Sequence, residues 1–196
     1  MWNCSCCKLG LFGIKGSLLH GGKLKDPGWL TKHAAEYLEE FKQAQEHLSV
    51  PPWQSNGNVW RPPPQSLFKL NFDATIFKES NSSGFSAVIQ NEQGEVMAAL
   101  STIGPTVTCS EEAETMACRK TLEFAVDAGF SKLVVEGDNA NVMRAVSSST
   151  PNMSMLGNVI DDIQFLLCGL RRASTSRIKR GGNRVAYVLA RHANEL

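Results

Sequence analysis

The sequence predicts an α/β fold: a five-stranded mixed sheet, three antiparallel strands and then two parallel ones, flanked by helices. Three strand-like runs follow one another between residues 69 and 101 with only short turns between them. Such spacing makes consecutive strands antiparallel neighbours. Two later strand-like runs are each preceded by a stretch of helical periodicity, the pattern by which parallel strands join a sheet. A hydrophobic content of 42% over 196 residues is enough for one core of ordinary size plus an extension.

Residues 1–25 carry four lysines and no acid and read as a poorly structured N-terminus. Asp26-Pro27 has the character of an N-cap followed by the first helical residue. Leu30, Ala34, Tyr37, Leu38, Phe41, Ala44 and Leu48 then recur at helical spacing, an amphipathic helix over 26–49. Its apolar stripe calls for a partner, either the main domain or another protein. Residues 50–66, with Pro51-Pro52, Asn56-Gly57 and Pro62-Pro63-Pro64, read as a Pro-rich linker, so the folded domain is expected over 67–196.

The first strand is Lys69 to Phe77, with Leu70, Phe72, Ala74 and Ile76 on one side and Asn71, Asp73 and Thr75 on the other. A tight connection over Ser80 to Gly84 leads to the second, Gly84 to Asn91, and Asn91-Glu92-Gln93-Gly94 turns into the third, Glu95 to Ser101. Thr108-Cys109-Ser110-Glu111 has the form of a capping box, and the helix it opens runs to about Asp127, before a C′ glycine, Gly129. Lys132 to Glu136 is the fourth strand. A short helix follows Asp138 to about Ser147, and a longer one from Met155 to Gly169 carries Leu156, Val159, Ile160, Ile163, Leu166 and Leu167. Arg171 to Arg180 gives a polar fifth strand suited to a sheet edge. Gly181-Gly182 leads into a last helix, Asn183 to about Asn194.

The net charge of +1 conceals an uneven distribution. Between Arg171 and Asn194 there are seven basic residues and no Asp or Glu, a tract suited either to phosphates or to plain solvation. Six cysteines in no regular spacing make no disulfide framework, so an intracellular setting, nucleus or cytoplasm, is expected. Cys118 and Cys168 fall in helical apolar patterns and read as core. No run of 18 apolar residues occurs, so no membrane span is expected.

Three acids stand in positions that structure alone justifies poorly. On a helical wheel at about 100° per residue, Glu114 shares its face with Ala117, Cys118, Thr121, Ala125 and Ala128, while Glu112, Arg119, Glu123 and Asp127 lie opposite. Asp73 lies inside the first strand; it reads either as a solvated strand face or as a buried carboxylate. Asp138 follows the fourth strand; it reads either as a helix N-cap or as a ligand at a strand's C-terminal end. A buried carboxylate is costly unless it is paired or bound to a cation. Three of them on elements able to share one sheet therefore point to a divalent-metal site.

Asn71-Phe72-Asp73, Glu114-Thr115-Met116-Ala117, Val134 to Asn139 and Asn183 to Ala190, in that order, resemble the ribonuclease H-like domain. The resemblance is to its plant reverse-transcriptase-like form, derived from non-LTR retroelements. Trp60-Arg61-Pro62-Pro63-Pro64 ahead of the first strand fits as well, and the likeness covers residues 67–194. It implies a ribonuclease H-like fold and hydrolysis of the RNA strand of RNA–DNA hybrids. It also implies that Asp73, Glu114 and Asp138 are three of four carboxylates holding two Mg²⁺ ions, with Mn²⁺ as an alternative. Two such metals about 3.5–4 Å apart would activate water and stabilise the leaving oxygen. Asn139, Arg180, Asn183 and Arg184, in or beside the motifs, become the expected nucleic-acid contacts.

At the fourth acid's position stands Tyr187, a poor Mg²⁺ ligand, which weakens the second metal position. Ala74 also replaces the glycine that commonly follows the first Asp. Two readings stay open. One is an active hybrid endonuclease. The other is a catalytically weak or inactive retroelement-derived domain that binds nucleic acid, a hybrid or structured RNA, or a protein.

Overall fold

The computed structural model describes residues 60–148, 150 and 154–195. The expectations for residues 1–25, for a helix over 26–49 and for the linker as far as residue 59 lie outside the described residues. The strands are β1 (Phe68–Phe77), β2 (Ser82–Gln90), β3 (Val96–Gly104), β4 (Lys132–Gly137) and β5 (Arg172–Arg177). The helices are α1 (Ser110–Asp127), α2 (Ala140–Ser147), α3 (Gly157–Gly169) and α4 (Arg184–His192), with 3₁₀ turns at Arg180–Gly182 and Ala193–Glu195.

One five-stranded mixed sheet results, in the order β3-β2-β1-β4-β5. β1–β2 and β2–β3 are antiparallel; β4 runs parallel to β1, and β5 parallel to β4. The polar strand β5 is at an edge, as its composition predicts.

Register sorts the side chains into two faces. Leu70 pairs with Ile89 and Val135, and Phe72 with Ala87, so these five point to one side, where all are fully buried. Helices α1 and α3 close this core with Ala113, Ala117, Leu122, Ile160 and Ile163. On the other face lie Lys69, Asn71 and Asp73, which an antiparallel strand at a sheet edge would expose. Here β1 is the central strand and α4 covers it, so all three are buried. Ser86 and Ser101, on the same face, donate hydrogen bonds to the carbonyls of Ala186 and Leu189 in α4. Gly84 permits that approach: a Cβ there would collide with the Ala190 carbonyl oxygen.

A buried polar cluster ties β1 to β4. Lys69 Nζ lies 2.8 Å from Glu136 Oε1, both side chains being 8% exposed. Asn71 Nδ2 donates to Glu136 Oε2, and Asn71 Oδ1 accepts from Trp60 Nε1. Lys69 also donates to the Arg61 carbonyl, which straps residues 60 and 61 across the sheet. Every charge and amide in the cluster has a partner, which is the condition for tolerating them in a low-dielectric interior.

Three local expectations are corrected. The capping box at the start of α1 does not form with Glu111. Cys109 is the N-cap residue, and Glu112 Oε2 instead accepts from Thr108 N–H and Oγ1, one position further along. Cys168 is exposed, because α3 buries only Gly157, Ile160 and Ile163 and its last turn passes beyond the core. The last helix gives way to a 3₁₀ turn after His192. The end of α1 is as read: Gly129 adopts φ 84°, and the amides of Gly129 and Phe130 bond the carbonyls of Val126 and Ala125 in a Schellman motif. Among the described residues no helix is long and apolar enough to cross a membrane.

Candidate metal centre

Asp73 projects from central β1, Glu114 from the second turn of α1, and Asp138 from the residue after β4. Parallel pairing of Asn71 with Glu136 brings Asp73 and Asp138 to the same level of adjacent strands. Each of the three offers a carboxylate oxygen within 4.8 Å of the others. Asp73 and Glu114 are 4% and 5% exposed. Asp73 Oδ2 and Glu114 Oε2 are buried without a hydrogen-bond partner.

Such crowding is costly for the ionised forms. Burial, and then the charge of Asp138, pushes the Asp73 carboxyl up to about 7, against a hydrogen bond with Glu114 and the pull of Arg180 and the Ala74 amide. Burial, and then the charges of Asp73 and Asp138, pushes Glu114 up to about 9. Burial, with Glu114 adding to it, also pushes up the Cys118 thiol, which rules out a reactive thiolate there. Both shifts favour the protonated forms of Asp73 and Glu114 in the metal-free site.

A divalent cation answers both causes at once. It supplies ligation to the orphaned oxygens and opposite charge to the crowded carboxylates. The donors are all hard oxygens, which suits Mg²⁺ or Mn²⁺ over softer metals. The residues present thus fit a divalent metal.

Asp138 is not consumed as a helix cap. Asn139 takes that role: its Oδ1 accepts from the amides of Asn141 and Val142 at 3.0 and 3.3 Å. The cap accounts for the Asn139 oxygen, and the residue lines the same cavity as Glu114 and Asp138. Arg180 Nε donates to Asp138 Oδ2 at 3.2 Å from a side chain that is 87% exposed. A cavity of about 370 Å³ opens here, lined by Glu114 and Asp138 together with Arg177, Lys179 and Arg180.

The expectation for Asn183 is corrected. Rather than facing nucleic acid, it is 2% exposed, and its Nδ2 donates to the Phe72 carbonyl at 2.7 Å. It fastens the start of α4 to the backbone next to Asp73 and so positions the site. Arg184 is exposed on the first turn of α4. Tyr187, at the expected fourth-ligand position, is 41% exposed, with its hydroxyl accepting from Arg191 at 3.3 Å and its ring under the same guanidinium. Among the described residues no further His, Cys, Asp or Glu joins the three acids. His192 and Glu195 pair with each other instead.

Sequence reasoning missed the Lys69–Glu136 pair and the place of Arg177 and Lys179 at the cavity. The only signal for the latter was the acid-free basic tract.

The fold is ribonuclease H-like. The ribonuclease H1 of Halobacterium salinarum superposes with a TM-score of 0.59 at 23% identity, over 65% of this chain and 97% of that one. The N-terminal ribonuclease H domain of a Mycobacterium tuberculosis protein gives 0.55 at 21%, over 65% and 93%. A compost-derived ribonuclease H1, solved in complex with an RNA/DNA hybrid, gives 0.57 at 18%, over 65% and 96%. At these identities the likeness is one of fold. Among curated proteins, none matches. A family model described as reverse transcriptase-like matches residues 71–193, well over half the chain, and the chain belongs to that family.

Proposed function

We propose that this protein is a metal-dependent endonuclease acting on the RNA strand of RNA–DNA hybrids, in the plant, non-LTR-retroelement-derived branch of its family. The observation that carries the reading is the convergence of Asp73, Glu114 and Asp138 with two buried oxygens unpartnered. The three carboxylates would hold Mg²⁺ or Mn²⁺. Bound there, such an ion supplies Lewis acidity: it lowers the pKa of a water and neutralises charge on a phosphodiester.

The chain's own groups do the rest. Glu114, raised first by burial and then by the charges of Asp73 and Asp138, would have to be ionised to serve as a ligand. Asp73 and Asp138, on adjacent strands, fix the direction of the site, and Asn183 holds the β1 backbone in place behind Asp73. Arg177, Lys179 and Arg180 around the cavity take the flanking phosphates. The exposed Arg184 and the amide of Asn139 extend that contact. The helix expected over 26–49, beyond a linker, would serve a protein partner, and the compartment would be nucleus or cytoplasm.

A second reading rests on Tyr187. With a phenol in place of a fourth carboxylate and already engaged by Arg191, the domain would bind hybrids or structured RNA and cut them poorly or not at all. The test is cleavage of a labelled RNA–DNA hybrid with Mg²⁺ and with Mn²⁺. Cutting by the wild type and none by Asp73→Asn supports the nuclease. No cutting at high protein concentration, with binding retained in both proteins, supports the second reading. Absence of hybrid binding at low salt would sink both.

A further inference from the structure

Arg177 lines a second cavity as well as the one beside the acids. This groove, about 280 Å³, lies between α2 and β5, with Arg144 and Ser147 on one wall and Thr175, Ser176 and Arg177 on the other. No acid lines it. None occurs from residue 139 to 160 or from 163 to 194, so neither wall carries one.

The walls are fixed to each other. Ser147 Oγ donates to the Met143 carbonyl, which uses its only proton, so the 2.6 Å contact with Thr175 must have Thr175 Oγ1 as donor. The negative end of α2 is masked too: Gln164 Nε2 donates to the carbonyls of Ala145 and Ser148. Beside Ala140 and Met143, what remains to face a ligand is two guanidinium groups; Ser176 pairs with Glu136 and turns its side chain to the other face of the sheet.

From this we infer that the α2–β5 groove seats a backbone phosphate of the nucleic-acid strand that enters the acid-lined cavity, with Arg144 as its distal clamp. The inference rests on the nucleic-acid reading above and adds the path of the strand: past Arg177 and along the sheet edge, over β5. Guanidinium forks match phosphate oxygens in charge and geometry. Because Arg177 serves both cavities, Arg144 is the residue that isolates this one.

The experiment measures fluorescence anisotropy of a labelled RNA–DNA hybrid with the full chain in EDTA across a NaCl series. Wild type, Arg144→Ala and a control, Lys120→Ala on the exposed side of α1, are compared. Loss of one phosphate contact should reduce the slope of log K against log salt by about 0.7–0.9 and weaken binding about 5–10-fold at 0.1 M salt. Lys120→Ala should leave the slope unchanged, and the Mg²⁺-induced rise in melting temperature should be the same in Arg144→Ala as in wild type. Inorganic phosphate should compete no better than NaCl at equal ionic strength.

A wild-type slope and affinity in Arg144→Ala overturns the groove while leaving the proposed function standing. Equal losses in Lys120→Ala, or displacement by low-millimolar phosphate, overturn it as well. A wild type that binds no hybrid overturns both.

Discussion

Replacing Asp73 by Asn should make the metal-free protein more stable at alkaline pH, although it removes a residue of the site. Burial and the charge of Asp138 raise the Asp73 carboxyl from 3.8 in the unfolded chain to about 7 in the fold. A raised pKa contributes stability that is complete below the unfolded value and is lost as pH rises through the folded one. Between pH 5 and pH 9 the wild type should therefore lose about 2–3 kcal/mol through this residue, at about 1.4 kcal/mol per pKa unit. The carboxamide of Asp73→Asn cannot ionise and escapes that loss. It also lifts one of the charges that raise Glu114. For a domain of this size the difference corresponds to about 8 °C in melting temperature. Thermal melts in EDTA, followed by circular dichroism at pH 5, 7 and 9, should show the advantage of Asp73→Asn widening with pH. Mg²⁺ should then raise the wild-type melting temperature and leave that of the variant nearly unmoved. Parallel melting curves for the two proteins across this range would refute the premise that the carboxylates crowd one another.

Lys69→Met should cost about 3–5 kcal/mol in urea unfolding, because it strands Glu136 as a buried charge. The double variant Lys69→Met/Glu136→Leu should recover most of that, and equal instability in single and double variants would argue against the pair. Arg180→Ala should change stability by less than about 1 kcal/mol, since the guanidinium is 87% exposed. Because the charge of Arg180 holds Asp73 down, the same variant should raise the Asp73 titration midpoint seen by carboxyl ¹³C NMR; an unchanged midpoint contradicts the coupling.

Strand alternation and helical wheels carried most of the architecture, because the signals are local. Leu70, Phe72, Ala74 and Ile76 mark a strand face by themselves, and Gly129 marks a helix end by its backbone requirement. What stayed hidden depended on register or on a shift of one residue. Asp138 and Asn139 are adjacent and both favoured as N-caps, so only the geometry shows that Asn139 caps and Asp138 is left to the site. Glu111 and Glu112 pose the same ambiguity at the start of α1. Lys69 and Glu136 lie far apart in sequence and meet through a parallel pairing that no local pattern encodes. Asn183 sits in a motif suggestive of ligand contact, yet its neighbours place it under α4, facing the chain itself.

Glu136 is the informative contrast to the three acids. It is 6% exposed, comparable to Asp73 and Glu114, and it lies two residues from Asp138 on the same side of β4. The fold supplies it with an ammonium at 2.8 Å and an amide from Asn71. The means to neutralise a buried carboxylate on this face therefore exist within one turn of the strand pleat. Asp73 and Glu114 receive no such partner: each keeps one oxygen unbonded, and each is held well above the ordinary carboxylate range. Arg180 forms its ion pair with Asp138, from solvent, and acts on Asp73 only at a distance. A domain selected only for stability gains by giving every buried acid the treatment given to Glu136, or by replacing it with an apolar residue. Leaving Asp73 and Glu114 without a cationic partner, so close to an acid that has one, is what a cation-binding site requires. That argument holds without Tyr187, whose substitution bears on how many ions the site holds and not on whether it holds one.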